Sequence, residues 1–228
     1  MATPDEDKVT AALSRFAIFP LPGAVLLPRS QIALHIFEPR YRKMIKDCID
    51  GSGVLGLAHL YPATSQAGEE PPKVHPVLGV GLVDQVEALP DGRFNIVLNG
   101  VLRARILEEL PATEPYRLVH AQVLSGEPGE EQQALVREAA EGLRRMVLTL
   151  CSQSPGPALM RLVSQVKSAK EPAALVDLIA GTLVESPRER QVLLEQLSVH
   201  RRIDKVSARV ASLLARAAPR PSDKTLLN

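Results

Sequence analysis

VLGVGLVDQVEALPDGRFNIVLNGVLRARIL, residues 77 to 107, decides how the first half of this chain must fold. Two runs rich in Val, Leu and Ile, 77–89 and 94–107, flank Pro90-Asp91-Gly92. Asp-Gly between two such runs is a strong hairpin signal, because Gly reaches positive φ at no steric cost and Asp bonds its own backbone. Gly79 and Gly81 interrupt the first arm, so the long hairpin is expected to curl there.

Upstream of the hairpin, short strands alternate with turn signals. Phe16-Ala17-Ile18-Phe19 reads as a strand closed by Pro20-Leu21-Pro22-Gly23, since proline cannot donate to a central ladder. Gln31 to Phe37 reads as a second strand. Pro39 then presets a first helical turn, and Tyr41, Met44, Ile45, Cys48 and Ile49 share one face of a helix ended by Gly51 and Gly53. Val54 to Leu60 is a third strand. Tyr61 to Pro76, with four prolines, is expected to be an exposed, flexible and dispensable loop. Tyr116 to Leu124 completes five or six strands with one embedded helix, a β-rich barrel-like unit over 14–126.

The periodicity changes near residue 127. Downstream, apolar residues recur every three or four positions, the helical spacing. Glu130 to Leu150 carries Leu135, Ala139, Leu143, Met146, Val147 and Leu150 on one stripe. Ser154-Pro155 can cap a helix bearing Leu159, Leu162, Val163 and Val166. Pro172 opens another. Ser186-Pro187-Arg188-Glu189 is a capping box, and the helix after it is expected to run unbroken to about Ala218. Four one-sided helices must pack together, which predicts a bundle over 127–218 and a frayed tail over 219–228. The fold class is therefore α+β: a β-rich barrel with an embedded helix, followed by a helical bundle.

Composition bounds the function. The 228 residues carry a formal charge of +1 and 3% aromatic residues without Trp, which weighs against electrostatic capture of nucleic acid and against base-stacking platforms. No apolar run approaches membrane-spanning length, and the polar, acidic start lacks the features of a secretory signal. Cys48 and Cys151 read as reduced thiols on helices, and the expected compartment is the cytoplasm. His35, His59, His75, His120 and His200 show no zinc-ligand spacing, so no metal or other cofactor is expected. No Gly-x-x-x-x-Gly-Lys-Ser/Thr loop is present to hold nucleotide phosphates.

Phe19-Pro20-Leu21-Pro22-Gly23 followed by Leu34-His35-Ile36-Phe37-Glu38-Pro39-Arg40-Tyr41 resembles the opening signature of the Lon protease N-terminal domain. Gly79-Val80-Gly81, Leu89-Pro90-Asp91-Gly92-Arg93-Phe94, Leu98-Asn99-Gly100, Leu175 to Ala180 and Gln191 to Glu195 fit the same family. The likeness covers roughly Phe16 to Ala217. It implies a pseudo-barrel similar to PUA-type domains followed by a helical bundle, and a role in selecting and holding protein substrates. The chain ends where Lon continues into its ATPase and Ser-Lys protease, so a free-standing, non-catalytic cousin of that domain is expected.

Candidate contacts for unfolded or extended polypeptide clients, or for a dedicated protein partner, are the large side chains near the signature: Phe19, Leu21, Phe37, Tyr41 and Phe94, with Glu38 and Arg40 between them. They are expected in a groove where barrel and helices meet, or along an open strand edge. A structural reading stands beside this one. Glu38 can face the positive end of the helix, Pro39 preset it, Arg40 pair with a carboxylate, and Phe37 and Tyr41 anchor helix to sheet. The alternative function is RNA binding, by a basic face joining Arg103 and Arg105 to Arg201, Arg202, Arg209, Arg216 and Arg220.

Overall fold

The 77–107 stretch forms the hairpin in the computed structural model, which describes residues 3–62, 72–126, 130–153 and 156–217. Its arms are β4 (Val77–Ala88) and β5 (Phe94–Glu109). Gly92 takes φ +78, and the Asp91 carboxylate accepts the Arg93 N–H at 3.1 Å. The arms curl at a register shift between Val80 and Gly81. A Cβ on Gly79 would lie 1.9 Å from the Leu26 carbonyl oxygen, and one on Gly81 would lie 2.1 Å from that of Asn99. Only glycine lets the neighbouring backbone approach so closely.

Around the hairpin stand β1 (Phe16–Leu21), β2 (Gln31–Ile36), β3 (Val54–His59) and β6 (Arg117–Val123). The sheet order is β2-β5-β4-β3-β1-β6, and a further β5–β6 pairing closes the five strands other than β2 into a barrel. β1 and β3 run parallel, linked by a crossover that contains α2 (Pro39–Asp50). Both faces of β1 are buried, hence its unbroken apolar run. Phe16 and Ile18 meet one cluster with Val9 and Leu13; Ala17 and Phe19 meet another with Tyr41, Met44 and Ile45 of α2.

β1 extends through Pro20, where the sequence predicts a closing turn. Pro20 pairs with Ala58 of β3, and β6 flanks only Phe16 to Ile18. Among the described residues no strand flanks Pro20 on the side away from β3, an edge position at which proline is tolerated. The polar, acidic start of the chain, to which the sequence analysis assigns no element, is α1 (Pro4–Ala12). It is capped by a box in which Thr3 and Glu6 bond each other's backbone, with Pro4 in the first turn. The Tyr61–Pro76 segment is pinned at its ends by a Leu60–Val74 bridge and a bond from Tyr61 N–H to the Lys73 carbonyl. Residues 63–71 lie outside the described residues.

The second half is helical: α3 (Glu130–Gln153), α4 (Pro157–Ser168), α5 (Pro172–Leu183), α6 (Pro187–Glu195) and α7 (Val199–Ala217). Two expectations change. The α3 stripe is offset: Val136 and Ala140 are buried while Leu135 is 60% exposed. The helix begins at Gly156 and Pro157 rather than at Ser154-Pro155, which lie outside the described residues.

The last helix is also two helices. The Leu194 carbonyl accepts from Arg103 Nε of β5, and the Gln196 and Leu197 carbonyls accept from Arg202 Nη1. Arginines thus replace the helical donors that a continuous helix would supply. Ser198 restarts the chain, its hydroxyl accepting the Arg201 N–H at 3.4 Å. Val25, Leu27 and Val77 join the core cluster of the helices, so the barrel supplies part of that core.

Candidate functional site

The signature block divides between core and surface. Phe19, Tyr41 and Phe94 are buried in one cluster between sheet and α2, with Leu21 half-buried at its margin. Phe19 and Tyr41 rings lie 4.5 Å apart, and the Arg40 guanidinium sits 4.6 Å above the Tyr41 ring. Burial pushes the Tyr41 hydroxyl pKa up, with the Arg40 charge opposing. Glu38 is the N-cap of α2, but its carboxylate makes no capping bond. It pairs instead with Arg40 at 2.8 Å. The expected carboxylate–helix bond is thus replaced by an exposed ion pair, worth little by itself. Phe37 anchors nothing: it is 60% exposed, stacked 6.2 Å from the His35 ring.

Phe37 follows the end of β2, and β2 is the outermost strand. It pairs with β5 from Gln31↔Asn99 to Ile36↔Phe94 and, among the described residues, with no other strand. Among the described residues, no hydrogen bond reaches the backbone of Ile32 to Ile36 from the opposite side. One face of the strand is anchored by Leu34 and Ile36 in the core. The other carries a polar ladder. His35 Nδ1 lies 2.7 Å from Asn95 Oδ1, and His35 Nε2 lies 3.2 Å from Arg93 Nη1. Since arginine only donates, Nε2 is the accepting and Nδ1 the donating nitrogen in this arrangement. Asn95 in turn donates to Glu87 at 2.8 Å.

The expected groove exists, but none of the signature side chains lines it. It is a cleft of about 730 Å³ bounded by α1, β5, the end of β6, α3, α5 and α7. Val101, Leu102, Val136 and Val199 supply apolar walls. At its base lies a buried ionic network. Arg103 Nη2 is 3.0 Å from both Asp177 oxygens, and Arg202 Nε is 3.1 Å from Oδ1. Arg103 is 8% exposed and Arg202 2%. Burial presses the Arg202 pKa down, and the Asp177 charge opposes that shift. In the sequence Asp177 falls within the family-like stretch Leu175 to Ala180. The available signal was a lone carboxylate inside Pro172–Leu183, an otherwise apolar helix. Of the basic face weighed for RNA, Arg103 and Arg202 are held in this network, while Arg105 and Arg201 are exposed.

Among the described residues, no group of three His, Cys, Asp or Glu side chains is arranged to hold a metal. The Cys48 thiol is buried, within 3.5 Å of the Val54 carbonyl, and desolvation pushes its pKa up to about 12. Such a thiol is a poor nucleophile. Also among the described residues, no helix is long and apolar enough to cross a membrane.

The model of one family, the ATP-dependent protease La (LON) substrate-binding domain, matches residues 15–211. Lon protease 1 of Herpetosiphon aurantiacus is 27% identical over 206 residues, 88% of this chain and 24% of that protein. A Lon protease of Trichlorobacter lovleyi is 28% identical over 206 residues, 87% of this chain and 23% of its own. The chain thus spans about a quarter of the length of these relatives. The N-terminal domain of a Mycobacterium avium complex Lon protease superposes with a TM-score of 0.67 at 16% identity, covering 86% of this chain and 98% of that one. A Lon N-terminal domain protein from Xanthomonas campestris gives 0.56 at 21% identity, covering 85% and 97%. At these identities the two structures establish likeness of fold.

Proposed function

The chain belongs to the LON substrate-binding domain family, and from that premise we propose that it is a non-catalytic module that holds unfolded or extended polypeptide clients. The observation that carries this reading is the open outer edge of β2, ending beside exposed Phe37. An unpaired edge offers alternating backbone donors and acceptors, which an extended chain of almost any sequence can meet. Phe37 adds an apolar contact that does not depend on one client sequence. The near-zero net charge agrees with broad rather than charge-selected binding. In this reading the chain works in the cytoplasm, as a β unit over 14–126 joined to a helical unit over 127–218.

The test is a titration of fluorescent unfolded protein and of single-stranded RNA at low and moderate salt. Polypeptide binding that changes little with salt is expected. Tighter RNA binding that collapses as salt rises would move the function to phosphate recognition. Two further arms address the edge. A client peptide N-methylated at alternate amides loses backbone donors and should bind far more weakly. Phe37→Ala should weaken binding roughly tenfold, the effect of about half a buried Phe, with an unchanged melt. Equal binding of the methylated peptide would remove β2 from the account.

A further inference from the structure

Charge at the junction groove is out of balance. Arg103 and Arg202 share the single carboxylate of Asp177. Arg103 Nη1 and Arg202 Nη2 have no hydrogen-bond partner among the described residues. Arg202 Nε, although within ion-pair distance of Asp177, is buried without an aligned hydrogen bond. A buried charge is stable when paired, and two guanidiniums on one carboxylate leave room for a second. At the rim, Arg29 pairs with Glu6, while Arg137 of α3 has no partner among the described residues. Glu171 stands at the same rim and opposes a densely acidic ligand.

The groove is lined by both apolar and charged side chains. β5 pairs with β2 as far as Asn99 and with β6 from Ala104. Between them, among the described residues, no strand pairs with Val101 and Leu102 on the side away from β4. Leu102 has its side chain also in the barrel core, and both residues line the cleft. Its volume of about 730 Å³ lies within the range of ligand clefts. We propose that this groove binds the C-terminal end of a polypeptide, its last apolar side chains on the groove walls and its α-carboxylate on the Arg103–Arg202 pair. One terminal charge on an apolar tail satisfies the arginines and avoids Glu171, which an acidic run would not. The site deepens the polypeptide-holding reading, and it meets the start of β2 at the end opposite Phe37.

The experiment compares a short fluorescent peptide ending in Leu-Leu as free acid and as C-terminal amide. The acid is expected to bind at least about tenfold more tightly, the usual scale for a hydrogen bond to a charged group. Ala174→Glu places a carboxylate in the groove and should abolish that preference. If this variant fails to fold, Arg137→Glu, exposed at the rim, should reduce the preference instead. Equal affinity of acid and amide, or a preference unchanged by these substitutions, overturns the proposal. Displacement by octanoate more readily than by the unlabelled acid peptide also overturns it, because the occupant is then a small amphipathic acid. Phe37→Ala and backbone methylation report on the β2 edge, so failure of either site is distinguishable from failure of the other.

Discussion

Among the described residues Asp177 is the one anion paired with the two buried guanidiniums, and its removal leaves both without that partner. Asp177→Ala is therefore expected to destabilise the fold by roughly 3–5 kcal/mol, the scale for breaking a buried pair. Denaturant melts measure it; a loss under about 1 kcal/mol would mean that water or the helix-end carbonyls already neutralise the arginines. His59 offers a second residue-level test. It stacks 5.3 Å from His75, its Nδ1 is buried without a partner, and desolvation followed by the His75 charge lowers its pKa below 6.5. Among the described residues, Tyr61 and Glu195 also face this pair through His75. The folded state thus binds the proton less readily than the unfolded chain. Stability is present above the unfolded value and declines as pH falls below it. The melting midpoint should drop between about pH 7 and about pH 5, and His59→Gln should flatten that slope. A variant profile as steep as the parent's would assign the effect elsewhere.

At the scale of elements, Ser186 caps α6 by accepting the Glu189 N–H at 3.3 Å. Ser186→Ala should cost roughly 1 kcal/mol, read as a shift in denaturant midpoint without a change in slope. No change would mean that Pro187 alone sets the helix start. The strands and most helices were legible because turn residues and apolar periodicity are local properties. α1 carried a legible signal too, Thr3-Pro4-Asp5-Glu6, but only Val9 on it is buried, so no stripe drew attention to it. The α6–α7 break had no local signal. Residues 196–198 contain neither Gly nor Pro, and the chain bends where Arg103 and Arg202 capture its carbonyls. The offset on α3 has the same origin, since 135/139 and 136/140 are equally helical spacings and tertiary packing selects between them. The cleft lies where sheet and helices meet, and Phe19, Leu21, Phe37, Tyr41 and Phe94 are not among its lining residues. Large apolar residues beside a signature are first of all core, as Phe19, Tyr41 and Phe94 are.

For the whole molecule, the sheet and the helices are expected to unfold together. Val25 and Leu27 of the β1–β2 connection and Val77 of β4 sit in the helical core, Gln191 donates to the Val77 carbonyl at 2.9 Å, and the Asp177 network crosses the junction. Far-UV circular dichroism and tyrosine absorbance should therefore give coincident denaturant transitions. Tyr41, Tyr61 and Tyr116 all lie in the β half, so the second probe is specific to it. A helical transition that precedes loss of the tyrosine signal would show two separable units.

Closure of the barrel sets an order in time. β1 takes its antiparallel neighbour from Phe16↔Val119, so the earliest strand waits for one of the last. A ribosome delivers β1 long before β6, the last strand in the chain, emerges. During that interval one flank of Phe16 to Ile18 is unpaired and apolar. Contacts so distant along the chain make slow folding, with a nascent state open to misassociation. The final barrel strand, and not the hairpin that defines the fold, is the step at which newly made protein becomes safe from its neighbours.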